Sequence, residues 1–360
     1  RRHSSAASDV YKRQGVIMSN TQQVTLDANT LKQEIRDNMR VNLNTMIWGG
    51  PGIGKSEIPQ QVADELGVKL LDFRANLFDP VDVRGIPHIT SDAVHGDQTS
   101  WAAPDIFPTV ERDGERGIFM IDELPTAPPA TQNAFLQLLL TRQVGNYTMP
   151  DGWSVVSAGN RLTDGAAVYQ MPKPVCNRLM HYDLEPNLDV WCDWALKNEI
   201  HTTLVSFMRY RPNLLYSFKA DEYAFPTPRS WSFVNKRLKL TDDIHADRMF
   251  YGIAAAVGDG PAGEFLAFAK VASKLPDIDN LIQNPTTYMP TDDPAVLYAL
   301  TGAVSARAQD DKMENIMKLT AKLPVEFQVV LVKGILAIDR NFIQHDTINA
   351  WIQKNSQVVL

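Results

Sequence analysis

The feature that most constrains the fold of this chain is a glycine-rich segment that fits the pattern G-x-x-x-x-G-K-[ST]. The segment consists of Gly49, Gly50, Pro51, Gly52, Ile53, Gly54, Lys55 and Ser56. A short apolar run at 44–48 predicts a buried strand before it, and residues 57–66 predict an amphipathic helix after it. Glycine has no Cβ, so such a loop lets the backbone approach a phosphate group closely. The order strand, loop, helix therefore predicts a phosphate-binding loop rather than a glycine-rich turn with a chance lysine.

Two side chains of this loop are suited to a magnesium-bound nucleoside triphosphate. Lys55 is predicted to reach the β- and γ-phosphate oxygens, and the Ser56 hydroxyl is predicted to ligate Mg²⁺. Backbone N–H groups of the loop, together with Glu57 at the start of the following helix, complete the predicted nucleotide-binding set. ATP and Mg²⁺ are therefore the cofactors that the sequence predicts.

A second segment, residues 117–124, carries two carboxylates directly after four apolar residues. The apolar run predicts a buried parallel strand, and open α/β sheets bind their ligands at the carboxyl ends of such strands. Asp122 is placed to hold Mg²⁺, either directly or through water. Glu123 is placed to polarise a water molecule for attack on the γ-phosphate. The alternative is a strand that simply ends in an exposed acidic turn.

Three polar residues near later strands each have more than one interpretation. Asn160 follows a strand at 153–158, where it either positions the attacking water or caps its own turn. Arg178 precedes a strand at 180–184, where it either reaches the γ-phosphate of a neighbouring subunit or is an ordinary surface arginine. Arg161 is the alternative candidate for the residue that acts across a subunit interface.

The pattern of elements predicts an α/β fold, namely a P-loop NTPase αβα sandwich with a five-stranded parallel sheet. The predicted strands lie at 44–48, 69–74, 118–121, 153–158 and 180–184. Helices are expected at 26–41 and 128–144, and further amphipathic helices replace the strands beyond Glu185. The predicted domains are a nucleotide-binding core at 18–186 with a β-hairpin insertion at about 87–101, an all-helical lid at 187–275 and a C-terminal helical region at 276–360.

Residues 1–17 are basic and rich in Ser and Ala, and they lack the apolar stretch of a secretory signal. We interpret them as a disordered leader that is foreign to the protein, with the natural start at Met18. A transit peptide is the alternative interpretation of the same composition.

The composition limits the class of protein further. A hydrophobic fraction of 44% and a charged fraction of 21% are typical of a globular protein, and no apolar run is long enough to span a membrane. The net charge of −7 argues against broad, non-specific nucleic-acid binding. Cys176 and Cys192 provide neither a disulfide framework nor a metal-ligand spacing, so a reducing cytoplasm is the expected location.

Taken together, these motifs resemble those of AAA+ ATPases over about residues 27–240. The stretches LFDPVDVRGIP and PTPRSW are similar to the MoxR-like and dynein-related branch with a helix-2 insert, including phage and bacterial versions. The resemblance implies the following roles: Lys55 and Ser56 as the Walker A pair, Asp122 and Glu123 as the Walker B pair, Asn160 as sensor 1, Arg178 as the arginine finger and Arg229 as the sensor 2 arginine of the lid.

The same resemblance implies a ring, usually a hexamer, that holds ATP between neighbouring subunits and performs chaperone-like remodelling of a protein client. A protein that carries a von Willebrand A domain is one such client. Three other functions remain open on the sequence: a nucleic-acid-directed ATPase, a nucleotide-gated scaffold with little turnover, and a small-molecule P-loop kinase.

Overall fold

The computed structural model describes residues 24–92, 96–164, 168–219, 221–240 and 247–355. The predictions about the leader at 1–17 and the start at Met18 therefore lie outside the described residues. The strands are β1 (Val24–Leu26), β2 (Thr45–Trp48), β3 (Lys69–Arg74), β4 (Ile86–Asp92), β5 (Gly96–Ala102), β6 (Arg116–Asp122), β7 (Gln143–Val144), β8 (Tyr147–Thr148), β9 (Gly152–Gly159) and β10 (Met180–Leu184).

The helices fall into two groups along the chain. Those of the first half are α1 (Ala28–Arg40), α2 (Glu57–Leu66), α3 (Pro80–Arg84), α4 (Val110–Asp113), α5 (Pro129–Ala134), α6 (Leu136–Thr141) and α7 (Lys173–Cys176). Those of the second half are α8 (Leu188–Lys197), α9 (Thr202–Tyr210), α10 (Pro228–Leu238), α11 (Asp247–Val257), α12 (Asp259–Ala272), α13 (Ile278–Gln283), α14 (Pro294–Ser305), α15 (Met313–Thr320), α16 (Val325–Ile338) and α17 (Asp346–Lys354). Short 3₁₀ turns lie at Ala75–Leu77, Leu124–Thr126, Leu162–Asp164, Pro212–Leu214, Pro285–Thr287, Asp310–Lys312 and Arg340–Gln344.

Six parallel strands form the central sheet in the order β1-β10-β2-β9-β6-β3. The five predicted strands are all present, and β1 adds a sixth at the edge, where Val24 pairs with Tyr182. The helix expected from Leu26 begins at Ala28 instead, because the Asp27 carboxylate accepts a hydrogen bond from the Thr30 N–H at 2.9 Å and caps the helix there. Since all strands run the same way, their carboxyl ends share one edge of the sheet.

Two layers of helices cover the sheet, and alternation along the strands decides which side chain faces which layer. In β6, Ile118 and Met120 pack against α1 and α2 on one face, in a cluster with Leu31 and Val62. Phe119 and its neighbour Ile121 point to the opposite face and join a cluster rich in aromatic rings. This arrangement is the predicted αβα sandwich.

Two small antiparallel hairpins project from this core. Strands β4 and β5 pair from Ile86↔Ala102 to Asp92↔Gly96, and β7 pairs with β8 through Val144↔Tyr147. The prediction of one continuous helix at 128–144 is wrong in two places, since the helix is interrupted at Phe135 and ends at Thr141. It ends there because Arg142 adopts a left-handed backbone with φ 60° and Gly145 turns the chain with φ 56°. The hairpins contact each other, since Asn146 donates a hydrogen bond to Ser100 Oγ at 2.6 Å.

The second half of the chain is helical and contains two apolar clusters that share α14. Ala295 and Ala299 of α14 join the cluster that is centred on Phe207, whereas Leu297 and Leu300 join the cluster of α13 to α17. The contact between α14 and α9 is close, because a Cβ on Gly302 would overlap Ser206 Oγ. No helix among the described residues is both long enough and apolar enough to cross a membrane.

Candidate nucleotide-binding site

The glycine-rich loop lies at the carboxyl edge of the sheet, between the end of β2 and the start of α2. Gly52 adopts a φ of 74°, which a residue with a side chain rarely adopts. A Cβ at this position would also lie 2.7 Å from Thr227 Oγ1, which belongs to the helical part of the chain. Gly52 is therefore required both by the shape of the loop and by the close approach of Thr227.

Lys55 lies in the centre of the loop with only 8% of its surface exposed. Its Nζ donates hydrogen bonds to the carbonyl oxygens of Gly49 at 2.9 Å and Gly50 at 2.8 Å, and to Asn160 Oδ1 at 2.7 Å. Burial lowers the pKa of the Lys55 ammonium to about 8, and the neighbouring carboxylates of Glu123 and Asp122 oppose part of that shift. The loop thus holds a concentrated positive charge that an anion would stabilise.

Ser56 and Asp122 meet beside this lysine. The Ser56 hydroxyl donates a hydrogen bond to Asp122 Oδ2 at 2.8 Å, and the backbone N–H of Glu123 donates to Asp122 Oδ1 at 2.9 Å. A hydroxyl oxygen and a carboxylate oxygen are hard ligands of the kind that Mg²⁺ prefers. Mg²⁺ commonly takes one or two protein ligands and completes its shell with phosphate oxygens and water, so the pair of Ser56 and Asp122 suits it.

Glu123 adopts an unusual backbone conformation directly after β6. Its φ of 56° and ψ of 31° lie in the left-handed region, which costs a residue with a side chain roughly 1–2 kcal/mol. The Thr126 hydroxyl supports the turn, since it donates to the Glu123 carbonyl at 2.7 Å and lies 3.5 Å from Glu123 Oε2. Strain of this kind often accompanies function, and here it falls on the predicted general base.

Asn160 and Arg161 follow β9 and behave differently. Asn160 Oδ1 contacts the Lys55 ammonium, so the amide of Asn160 is directed at the glycine-rich loop. The Arg161 backbone N–H donates a hydrogen bond to Asp164 Oδ2 at 2.7 Å. The Arg161 guanidinium is bound within its own chain, because Nε and Nη2 lie 2.9 and 2.7 Å from Asp183 Oδ1. The charge of Arg161 is therefore already paired with Asp183 of the same chain.

Arg178 lies at the amino ends of the sheet strands, whereas the glycine-rich loop lies at their carboxyl ends. It precedes β10, whose first residue, Met180, is in register with Thr45 at the start of β2. Its Nη1 donates to the Pro174 carbonyl at 2.7 Å, and its own carbonyl accepts a hydrogen bond from Asn44 Nδ2 at 3.1 Å. Within the described part of the chain, no carboxylate lies within ion-pair distance of Arg178. The structure thus does not bring Arg178 to the loop of its own chain.

Helix α10 brings Arg229 to the loop from the helical part of the chain. Thr227 and Ser230 form a capping box at its start, with hydrogen bonds of 3.0 and 2.8 Å, and Pro228 occupies the first helical position. The backbone N–H of Arg229 donates to the Gly52 carbonyl at 3.1 Å. The side chain of Arg229 is exposed and contributes to lowering the pKa of Lys55, so its charge lies within electrostatic reach of the site.

Sequence reasoning missed Tyr216, which also belongs to the helical part of the chain. Its ring packs against the cluster that contains Ile53, and its hydroxyl fills the space that a Cβ on Gly50 would need. Burial raises the pKa of Tyr216 to about 12, so the hydroxyl stays protonated. No local pattern marks this tyrosine, because the contact joins residues far apart in the chain.

Two cavities flank the loop. One has a volume of about 560 Å³ and is lined by Gly50, Arg161, Asp164 and Tyr216 among others. The second has a volume of about 600 Å³ and extends along Ile53, Ser56, Trp191 and Arg229. Both volumes lie in the range of small-molecule sites, which run from about 300 to 1,000 Å³.

No protein-family profile matches the chain, and no curated protein sequence matches it. Among solved structures, the chain is similar to a proline-to-glycine mutant of RuvB from Thermotoga maritima, with a TM-score of 0.40, 14% identity and coverage of 77% of this chain and 82% of that chain. For a threonine-to-valine mutant of the same RuvB the TM-score is 0.37 and the identity 16%, over 80% and 84% of the two chains. For NtrX from Brucella abortus in complex with ADP the TM-score is 0.33 and the identity 13%, over 98% and 72%.

The sheet, the loop and the helical layers define the class of this protein. The chain has the αβα architecture of a P-loop NTPase, with a parallel six-stranded sheet, followed by a helical region.

Proposed function

We propose that the chain is a Mg²⁺-dependent ATPase of the AAA+ class, which binds ATP on the glycine-rich loop and hydrolyses it to ADP and phosphate. One observation carries this proposal, namely the convergence of the ends of two strands on two adjacent loop residues. Lys55 contacts Asn160 at the end of β9, and Ser56 contacts Asp122 at the end of β6. A chance glycine-rich turn would not be expected to align with the polar ends of two neighbouring strands.

Binding follows from the electrostatics of the loop. Lys55 exchanges its carbonyl and amide acceptors for oxygens of the β- and γ-phosphates, and the phosphate charge offsets the cost of burying its ammonium. Glu57 begins the helix whose N-terminus faces the phosphates. Ser56 and Asp122 are the residues that would hold Mg²⁺, which supplies charge neutralisation at the β- and γ-phosphate oxygens when bound.

Hydrolysis requires a water molecule, a base that accepts its proton, and groups that hold the water and the base in position. Glu123 takes a proton from water as the water oxygen bonds to the γ-phosphorus and the bond to the ADP oxygen breaks. Asn160 orients the water, because its amide lies between the end of β9 and Lys55. The turn that holds Glu123 in a left-handed conformation fixes this base relative to Asp122.

The trans-acting arginine in this proposal is Arg178. Arg161 is paired with Asp183 in its own chain, whereas Arg178 lies at the far edge of the sheet without an ion-pair partner among the described residues. A group in that position reaches a γ-phosphate only in a neighbouring copy, which supports a homo-oligomeric ring with six subunits as the expected number. In the same proposal, Arg229 reports the nucleotide state to α10 as the sensor 2 residue, because this helix is already bonded to the loop.

The work of the ring is proposed to be chaperone-like remodelling of a protein client in the manner of the MoxR-like branch. A von Willebrand A domain protein is the first candidate client, from the sequence resemblance alone. The hairpin at Ile86–Ala102, one of the surfaces that a client could contact, contains no Lys or Arg, so it offers no basic surface for nucleic acid.

The Glu123→Gln variant tests the proposed reaction. We expect ATP affinity within a few-fold of the wild type and a fall in steady-state turnover of about 10²-fold or more, because the base is lost while the binding groups stay in place. Glu115→Gln is the matched control, since it neutralises an exposed carboxylate just before the other end of β6. The proposal fails if wild-type turnover does not exceed that of Lys55→Ala, a result that would favour a nucleotide-gated scaffold. Salt-sensitive stimulation by DNA would instead favour a nucleic-acid-directed motor.

A further inference from the structure

His181 of β10 connects the strand that leads into the glycine-rich loop with the segment that carries Arg178. Trp48 is the last residue of β2, directly before Gly49, and its indole Nε1 donates a hydrogen bond to His181 Nδ1 at 2.9 Å. The other ring nitrogen, Nε2, lies 2.8 Å from the carbonyl oxygen of Cys176, the last residue of α7. Arg178 follows two residues later.

The two partners of His181 determine which ring nitrogen accepts a hydrogen bond and which donates one. An indole N–H can only donate, so His181 Nδ1 must accept from Trp48. A carbonyl oxygen can only accept, so Nε2 must carry the hydrogen that it donates to Cys176. Both ring nitrogens are therefore in use, Nδ1 as acceptor and Nε2 as donor. The planes of the Trp48 and His181 rings are nearly parallel, with an interplanar angle of 17° and centroids 6.0 Å apart, as expected for two rings joined edge to edge by this hydrogen bond.

The segment before β10 depends on such side-chain bonds. Helix α7 contains four residues, which is too short to be stable without tertiary contacts. Asn44 fixes the far end of the segment by donating to the carbonyls of Leu139 and Arg178 at 2.9 and 3.1 Å. His181 fixes the Cys176 end. Since one anchor holds the Arg178 carbonyl itself and the other holds Cys176 two residues before it, both of them determine where the Arg178 guanidinium is presented.

We propose that His181 is a positioning residue for Arg178, and that with Trp48 it ties the placement of Arg178 to the glycine-rich loop of the same chain. The inference rests on the proposed function, because it takes Arg178 as the arginine that acts on the ATP of a neighbouring subunit. His181 itself touches no substrate. It acts on the next active site only through the segment that it holds.

His181→Phe removes both hydrogen bonds and keeps a ring of similar size. We expect ATP binding to the variant to be unchanged within about twofold and turnover to fall by about ten- to hundredfold, as for a small misplacement of a catalytic group. Trp48→Phe, which removes only the donor to Nδ1, should cause a smaller fall. His181→Gln keeps one acceptor and one donor, and it should recover part of the activity that His181→Phe loses. His345→Phe, which replaces the histidine that caps α17, is the matched control.

A mixing experiment separates positioning from a merely structural role. Lys55→Ala subunits cannot bind ATP productively, but they carry an intact His181 and Arg178. Adding them to His181→Phe subunits should raise turnover per intact loop by several-fold, because neighbours with a well-placed arginine then serve those loops. Adding them to wild-type subunits should give no such rise. An absence of any rise with His181→Phe would overturn the inference.

A double variant gives the second readout. His181→Phe should reduce turnover little or not at all in an Arg178→Ala background, because the residue through which it acts is already gone. An equal reduction in both backgrounds would show that His181 acts on its own loop or on stability, and would refute the inference. If Arg178→Ala retains full turnover, the proposed role of Arg178 falls as well. If Arg178→Ala is inactive and His181→Phe is fully active, only the inference about His181 falls.

Discussion

Lys55 provides a quantitative test of the loop, because burial lowers the pKa of its ammonium from 10.5 to about 8. In the unfolded chain the lysine binds its proton up to the higher value, so the unfolded state holds more protons between these two pH values. Folding stability must therefore rise with pH across this interval and change little from this group below it. The substitution Lys55→Met removes the titrating group and keeps most of the apolar length of the side chain.

The magnitude follows from linkage between the two pKa values. Raising the pH from 7 to 9.5 should increase the free energy of unfolding of the wild type, relative to Lys55→Met, by about 2 kcal/mol. Tyr216 and Cys192, whose pKa values burial raises to about 12 and about 11, stay largely protonated in this range. The comparison with Lys55→Met cancels the groups that both proteins share, so the difference between the two proteins isolates Lys55.

Urea denaturation of nucleotide-free protein at a series of pH values between 7 and 9.5 measures the effect. The expected result is that the difference in the free energy of unfolding between wild type and Lys55→Met changes steadily in favour of the wild type as the pH rises. Bound nucleotide should abolish the change, because phosphate charge raises the pKa of the lysine back toward its ordinary value. If the free energies of unfolding of wild type and Lys55→Met changed in parallel with pH, the ammonium would not be desolvated in the loop. That result would refute the electrostatic argument.

Two further predictions concern contacts outside the loop. Gly302→Ala should destabilise the protein by about 1–3 kcal/mol, because its new methyl group overlaps Ser206 Oγ, and Ser206→Ala in the same chain should recover part of the loss in urea denaturation. Arg161→Ala should also lower stability by about 1–3 kcal/mol, because it leaves the Asp183 carboxylate without its hydrogen-bonded partner. In turnover assays Arg161→Ala should be less impaired than Arg178→Ala, and the opposite order would assign the trans-acting role to Arg161.

The central strands and the loop could be predicted because their signals are local. A run such as Ile118–Ile121 is apolar because both faces of its strand are covered by helices, and the motif before α2 is contiguous in the chain. The edge strand β1 could not be predicted, since three residues carry no measurable alternation. The hairpin β7–β8 was missed although Gly145 and Asn146 form a turn signal, because the preceding leucines favour a helix.

The part of the site that sequence reasoning missed consists of contacts between distant segments. The bond from the Arg229 N–H to the Gly52 carbonyl joins residues that are far apart in the chain, and nothing in either local pattern encodes it. The pairing of Arg161 with Asp183 is of the same kind. The sequence could place Arg161 near the end of a strand, but only the packing of β10 beside β2 shows that its charge is already bound.

Helix α14 has a mechanical consequence, because its two faces are buried in different apolar clusters. Helix α10 belongs to the first of these clusters, so any movement of α10 would be transmitted through α14 to the helices of the second. In the ATPase proposed above, a displacement at Lys55 on phosphate release would reach the last helices by this route.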